Sequence, residues 1–372
     1  MNSDSTALEM RINQAYKGVG VLLFSRGISA LYALFCALRV RHGVGEVIVP
    51  AICCESVALA AQYAGHRAVI ADVDPETLCM SPDHARTLLK PATRAVVLVY
   101  VFGILVDPVP WRELAQSQGI CLVEDICQAV GGVFDGGSLA GSVGDVTLLS
   151  FAEDKIIAGD GGALVIRNPA LLEDVAKSAY ALPEGASGRR LELMSLSWRN
   201  FCHSLYDLHR AEPDYGPATH FAQMEPLFQD IFIRQGTPSA PTVQRGLDDL
   251  DNERFRRQER VAVLREGIAS ISGMRCFHSV GTPMWWRFPF LAPGLQETVA
   301  LTLRLRKAGL PVSNHYFPLN LLFGGGALPV ASDLGLRLLN LWVDDAMDDE
   351  RLRLAISIIA DFFSDSAGGA RR

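Results

Sequence analysis

Residues 146–166 read "VTLLSFAEDKIIAGDGGALVI". An apolar run with strand character closes at Ser150 and Phe151, Lys155 stands five positions after that serine, and a glycine cluster at 159–162 leads into a second apolar run. Such short runs of valine and leucine without polar alternation belong to strands covered on both faces. Outward from this stretch the same element recurs. "GVGVLLF" (18–24), "EVIVP" (46–50), "RAVIADVD" (67–74), "RAVVLVYVFG" (94–103) and "ICLVED" (120–125) read as strands. Between them, "SALYALFCALRV" (29–40), "SVALAAQYAG" (56–65), "SPDHARTLL" (81–89) and "PWRELAQSQG" (110–119) read as helices, the first with Leu31, Leu34, Phe35 and Leu38 on one stripe. Strands alternating with helices predict an α/β unit around a mostly parallel sheet flanked by helices.

That alternation stops after about residue 169. Residues 177–240 mix Arg, His, Pro, Tyr and Trp with no period that places them. Beyond them come helix patterns at 254–271, 296–309 and 348–363 and strand candidates "MRCFH" (274–278) and "MWWRFPFLA" (284–292), which predict a smaller α+β unit. In the latter, Trp285, Trp286 and Phe288 are expected on alternating core and surface faces of a strand. The expected division is a large cofactor-binding domain over 1–240, with 177–240 a divergent and partly helical insertion, and a small C-terminal domain over 241–372.

With 372 residues the chain buries a sizeable core without staples, and its eight cysteines form no CxxC pair, which fits a reducing cytoplasm. Its first seventeen residues lack the apolar segment of a signal peptide, and no apolar run is long enough to cross a bilayer, so no membrane partner is expected. A net charge of −7 and the lack of a basic stripe argue against nucleic acid. No metal site is expected either: the eight histidines are scattered, and Cys202/His203 lacks a second ligand pair at zinc spacing.

Open α/β sheets bind ligands at the carboxyl ends of their strands, and three such ends carry polar residues. "LVEDICQ" ends a strand on Glu124 and Asp125 with Gln128 close behind; an acid there serves equally as a helix N-cap or as the partner of a ligand cation. "SRGISAL" places Gly27 and Ser29 at a strand-to-helix turn, either an ordinary capped turn or an anion site made of backbone N–H groups, with Arg26 beside it. Neither GxGxxG nor GxxxxGK[ST] occurs in the chain. The third end is Ser150 with Lys155. A loop lysine taken alone is ordinarily a solvated charge, whereas one in a desolvated pocket forms imines with carbonyl compounds. Together these residues supply what pyridoxal 5'-phosphate needs: an amine for its aldehyde (Lys155), an acid for its ring nitrogen (Asp125) and a cradle for its phosphate (Gly27, Ser29, Ser150).

"GISALYALFCAL", "GEVIVPAI", "YAGHRAVIADVDPETLCMSPD", "VYVFG", "LVEDICQAVGG", "GSVGDVTLLSFAEDKIIAGDGGALVI" and, more loosely, "HYFPLN" with "LPVASDLGLRLLNLWV" resemble the DegT/DnrJ/StrS family of sugar aminotransferases, which have the fold-type I architecture. The resemblance covers about residues 18–172 well and 242–362 weakly. It implies Lys155 as the lysine that holds the cofactor, Asp125 at the pyridine nitrogen, Gln128 near the phenolic oxygen, and Ser150 with the Ile28/Ser29 backbone at the phosphate. It also implies a homodimer with interface active sites. Two substitutions depart from the pattern: Cys54 stands where an aromatic usually stacks on the cofactor ring, and Ile28 replaces a threonine of the phosphate turn. An asparagine-arginine segment that reaches the partner's site has no counterpart before residue 239.

The expected activity is transfer of an amino group from an amino acid, glutamate or glutamine by resemblance, to a keto sugar, keto cyclitol or related acceptor. His315 is a candidate on the substrate side or a hydrogen-bonded core histidine. A lyase, cyclase or dehydrase on the same scaffold is the alternative that Cys54 and the 177–240 segment suggest, although retained Lys155 weighs against a dehydrase. A non-catalytic cofactor-binding relative would be expected to lose the lysine or the acid, and both are kept.

Overall fold

The computed structural model describes residues 3–369 apart from Pro213 and Phe317. Among them, strands β1 (Gly20–Phe24), β2 (Glu46–Pro50), β3 (Arg67–Ala71), β4 (Thr93–Val99), β5 (Cys121–Asp125), β6 (Val146–Ser150) and β7 (Gly162–Ile166) form one sheet in the order β1-β7-β6-β5-β4-β2-β3. The pairs from β3 across to β6 are parallel, and β7 alone runs against its neighbours β6 and β1. All residues of β2, β5 and β7 are buried, the signature of a sheet covered on both faces. Parallel strands need crossovers, and the helices between them provide the cover.

The helix Gly27–His42 illustrates how sequence sets local structure. Alanine and leucine dominate it, its buried face includes Leu31, Leu34, Phe35 and Leu38, and it stops at Gly43, whose φ of 76° suits a residue without Cβ. A second sheet, in the order β10-β11-β9-β8, is built from β8 (Arg275–Cys276), β9 (Arg287–Leu291), β10 (Val312–Ser313) and β11 (Leu338–Trp342), with the helices Leu250–Ala269, Leu295–Lys307 and Asp349–Gly369 around it. Trp285 and Trp286 precede β9 rather than alternating within it, and both are buried. No helix of the described residues is long and apolar enough to cross a membrane.

The segment that gave no period is helical. Gly188–Ala211 is a long helix, followed by the short helices Ala218–Met224 and Gln229–Phe232. Trp198 is its hub, with ring centroids of Phe201, Phe221, Phe228 and Phe232 at 5.8, 5.7, 5.2 and 5.0 Å. Its Nε1 donates to Glu55 Oε1 at 3.0 Å, which ties this layer to the first turn of the helix Glu55–Tyr63.

Side chains alternate along a strand, so Glu124 and Asp125 leave β5 on opposite faces. Glu124 is fully buried and accepts from Tyr100 Oη at 2.7 Å and from the N–H groups of Gly141, Val143 and Gly144 at 3.1, 2.7 and 2.5 Å. It therefore shapes the 141–144 turn and does not cap a helix. Glu124→Ala strands these buried donors and is expected to cost about 3 kcal/mol or more, read as a lower midpoint in urea. An unchanged midpoint contradicts this role.

Candidate active site

The carboxyl ends of the parallel strands converge, and the site is built there. Lys155 sits in the turn after β6, its N–H bonded to Ala152 O at 2.9 Å. Its side chain is only 14% exposed, and Nζ lies 4.4 Å from the centroid of the Trp286 ring, with the nearest carboxylate, Asp154, at 3.8 Å. Trp286 is held in place by its Nε1, which donates to Asp154 O at 2.6 Å. Burial alone would lower the Lys155 amine, but it is raised above the ordinary lysine value, the Asp154 carboxylate being the leading favourable charge.

Asp125 is buried at the end of β5, and its Oδ1 accepts the Cys127 N–H at 2.9 Å. One oxygen thus caps the following turn, so the capping reading is partly realised, and the carboxylate keeps acceptor capacity for a ligand. Burial raises this carboxyl, opposed by the Cys127 hydrogen bonds and by Lys155. Gln128 is fixed at both ends of its amide: Oε1 accepts the Phe102 N–H at 2.5 Å and Nε2 donates to Tyr316 Oη at 3.2 Å.

On the far side, a Cβ placed on Gly27 would lie 3.5 Å from Ser150 Cβ, 3.7 Å from Ser150 Oγ and 3.9 Å from Cys127 Sγ. Glycine thus leaves a small space bordered by Ser150, Cys127 and the start of the Gly27–His42 helix. No side chain caps that helix, so its first-turn N–H groups face this space without an intrahelical partner. Arg26 and Arg234 stand near enough to act on each other electrostatically, and burial together with Arg234 lowers the Arg26 guanidinium from its ordinary value. Arg234 Nε is buried with no hydrogen-bond partner among the described residues. Two guanidiniums beside a helix N-terminus, with Asp160 acting on both, suit a dianion.

Ile28 and Ser29 can reach the anion space through their backbone alone, the contribution that the resemblance implies. Ile28 is buried in the core and offers only its backbone. The Ser29 hydroxyl is also buried and turned away from the cleft, donating to Phe232 O at 2.5 Å beside Ser25 Oγ at 3.2 Å. Its backbone N–H alone can serve the anion site. Cys54, exposed at the N-cap of the helix Glu55–Tyr63, provides no ring to stack on, and its thiol acts electrostatically on Lys155.

His315 lies beside this group, and its neighbour Tyr316 completes it. The His315 ring stacks on His203 of the Gly188–Ala211 helix at a centroid distance of 4.1 Å, with Asp207 Oδ1 at 3.4 Å from Nε2. Tyr316 stands against Phe102 at 4.8 Å, and Phe102 stacks on Trp286 at 6.3 Å. Tyr316, Trp286 and Cys127 are the residues that strand-end reasoning missed. Tyr316 adjoins the candidate His315 in "HYFPLN", and Trp286 is expected only as part of a strand with alternating core and surface faces; the run of two tryptophans and an arginine at 285–287 is the available signal.

Pyridoxal 5'-phosphate fits this donor set: a buried amine with only one, long ion pair, to Asp154 at 3.8 Å, a buried carboxylate with spare acceptor capacity, and a cationic cradle that glycine keeps open. The fold is that of the fold-type I sugar aminotransferases. It superposes on the aminotransferase TlmJ from Streptoalloteichus hindustanus with a TM-score of 0.78 at 26% identity, covering 98% of this chain and 92% of that one. It matches 3-amino-5-hydroxybenzoic acid synthase with a TM-score of 0.76 at 20% identity, covering 98% and 91%. Residues 5–189 match the model of the DegT/DnrJ/EryC1/StrS aminotransferase family, and the chain carries that family's domain. It is 38% identical over 150 residues to the L-glutamine:2-deoxy-scyllo-inosose aminotransferase of Streptomyces kanamyceticus, which is 40% of this chain and 34% of that protein. To the GDP-perosamine synthase of Caulobacter vibrioides it is 31% identical over 144 residues, 39% of this chain and 38% of that one. The chain thus spans little more than a third of the length of these curated relatives.

Burial, then His203, lower His315 to about 4, against the pull of Asp207; Arg210 and Arg306 act in the same direction as His203. The unfolded imidazole, near 6.5, takes up its proton first as the pH falls. Stability should therefore be full above about pH 6.5 and decline from there towards pH 4. His315→Gln should flatten this decline in melting temperature, and parallel profiles for the two proteins would contradict the assignment.

Proposed function

We propose that the protein is a pyridoxal phosphate-dependent aminotransferase that takes an amino group from glutamate or glutamine and delivers it to a keto sugar or keto cyclitol. The observation that carries this reading is the buried Lys155 amine over Trp286, with Asp125, Gln128 and the Gly27–Ser150 cradle around it. Bound pyridoxal phosphate supplies an aldehyde that joins amines covalently and a ring that withdraws electrons. Lys155 Nζ would hold that aldehyde and, when free, would be the base that takes the proton from the donor's α-carbon. Asp125 would accept from the ring nitrogen and keep the proton on it, the cation so formed offsetting the burial that raises this carboxyl. Gln128 and Tyr316 orient the ring's polar edge, and the Phe102, Trp286 and Tyr316 rings keep water from the amine. The relatives named for cyclitol and sugar substrates support the acceptor class.

We further propose the division at 240/241, with the helix Ala240–Asp248 as the joint: Arg11 pairs with its Asp248, and Gly159 and Gly246 pack it on the large domain. A cytoplasmic homodimer completes the reading. The absence of disulfides among the eight cysteines supports the compartment. A mass of two chains in light scattering is expected for the purified protein, and a monomer would remove the dimer.

Mixing the reconstituted protein with glutamate or glutamine should convert the cofactor to its amine form, seen as loss of the visible absorbance band with formation of the 2-oxo acid. Lys155→Ala should lower turnover by about a thousandfold or more. Full turnover in that variant, or no conversion by any common donor, sinks the reading.

A further inference from the structure

The helix Gly188–Ala211 runs from the anion cradle to the small domain. Ser195, Arg199, His203 and Asp207 recur along it at intervals of four and so share one side. That side is tied at both ends. Ser195 Oγ receives Arg26 Nη2 at 3.3 Å, and further along the His203 ring stacks on His315 at a centroid distance of 4.1 Å and an interplanar angle of 19°. Between these points the Arg199 guanidinium lies near enough to Arg26 and to Asp154, the neighbour of Lys155, to act on both. One turn beyond His203, Asp207 Oδ1 stands 3.4 Å from His315 Nε2. His315 is followed by Tyr316, whose hydroxyl receives Gln128 Nε2. His203, Asp207 and His315 thus form a wall beside the space that Lys155 and Gln128 border.

The bonding capacity that this wall leaves unused defines a ligand. Apart from its stack on His315, the His203 ring has no hydrogen bond to protein among the described residues. His315 Nε2 is buried and lacks a well-aligned partner. Among the described residues the one ion pair of Asp207 is that to His315, and its side chain is 66% exposed. Burial, more than any neighbour, lowers both imidazoles, so at neutral pH each carries one N–H and one lone pair. A carboxylate beside two neutral imidazoles accepts hydroxyl protons and, through the rings, both donates and accepts. That combination matches a ring bearing several hydroxyls. A phosphate ester would instead meet the like charge of Asp207, and the nearest cations are engaged elsewhere: Arg306 donates to Val312 O and Asn314 Oδ1, and buried Arg210 donates to Tyr206 O.

We propose that Asp207 and His203, with His315, bind the hydroxyls of the acceptor and select an uncharged polyhydroxylated ring, an inference that rests on the aminotransferase reading for calling that ring the acceptor. It is tested on the cofactor-loaded protein by saturation-transfer NMR titration of scyllo-inositol, which has the hydroxyls but no keto group to react, and separately of uridine diphosphate. The wild type should bind scyllo-inositol. Asp207→Asn should weaken that binding about 10-fold, through loss of a charge-assisted hydrogen bond. His203→Phe, which keeps the stack and removes both ring nitrogens, should weaken it about 5-fold. Matching melting temperatures exclude a folding defect. No scyllo-inositol binding by the wild type, or unchanged binding in either variant, overturns the inference even if glutamate converts the cofactor normally. Uridine diphosphate binding that tightens in Asp207→Asn while scyllo-inositol does not bind also overturns it, by giving the wall to a phosphate-bearing acceptor. If scyllo-inositol binding depends on Asp207 and His203 but no keto acceptor takes the amine, the hydroxyl site stands and the aminotransferase reading falls.

Discussion

The site depends on keeping one lysine amine out of bulk water. An ammonium with 14% of its side chain exposed lies over the face of Trp286 and pairs with the Asp154 carboxylate at 3.8 Å. The indole quadrupole offsets part of the desolvation, and the Asp154 carboxylate is the leading charge that favours the ammonium. Trp286 belongs to the approach to β9, while Lys155 belongs to the loop after β6. This contact, with the Trp286 bonds to Asp154 O and Phe102 O, joins the second sheet to the carboxyl edge of the first, so a shift of one unit against the other moves the ring from beneath the amine.

The helices of 177–240 close the same region from another side. Phe232 and residue 234 reach the phosphate turn through the Ser29 and Ser25 hydroxyls, and Ser195 receives an N–H of Arg26 at 3.3 Å. Gly161, with φ of 96°, is needed here because a Cβ would lie 2.6 Å from Phe24 O and 2.9 Å from Pro238 Cα. The chain after residue 236 can thus pass directly over the β1–β7 edge. In this molecule the anion cradle is backed by residues far apart in sequence, and the hydroxyl lost at Ile28 is set against two guanidiniums.

The first sheet was legible because covered parallel strands write themselves as unbroken valine and leucine, and because a ligand site must lie at their carboxyl ends. Asp125, Gln128, Ser150 and Lys155 could be read from that rule alone. Trp286 and Tyr316 could not: each has a partner more than a hundred residues away, in Lys155 and Gln128. The helix Gly188–Ala211 escaped for another reason. Its buried positions include Trp198, Cys202, Leu205, Tyr206, His209 and Arg210, which have helical spacing but too few aliphatic side chains to register as a stripe. Polar groups there are buried against ring partners and the neighbouring loop, a fact that only the folded arrangement reveals.

The central claim is that Lys155 is the amine to which the cofactor attaches. Borohydride reduction of the cofactor-loaded protein, followed by proteolysis and mass spectrometry, reads this directly. The account predicts the added cofactor mass on the peptide containing Lys155. The same mass on Lys17, Lys90, Lys177 or Lys307, or on no lysine at all, would contradict it.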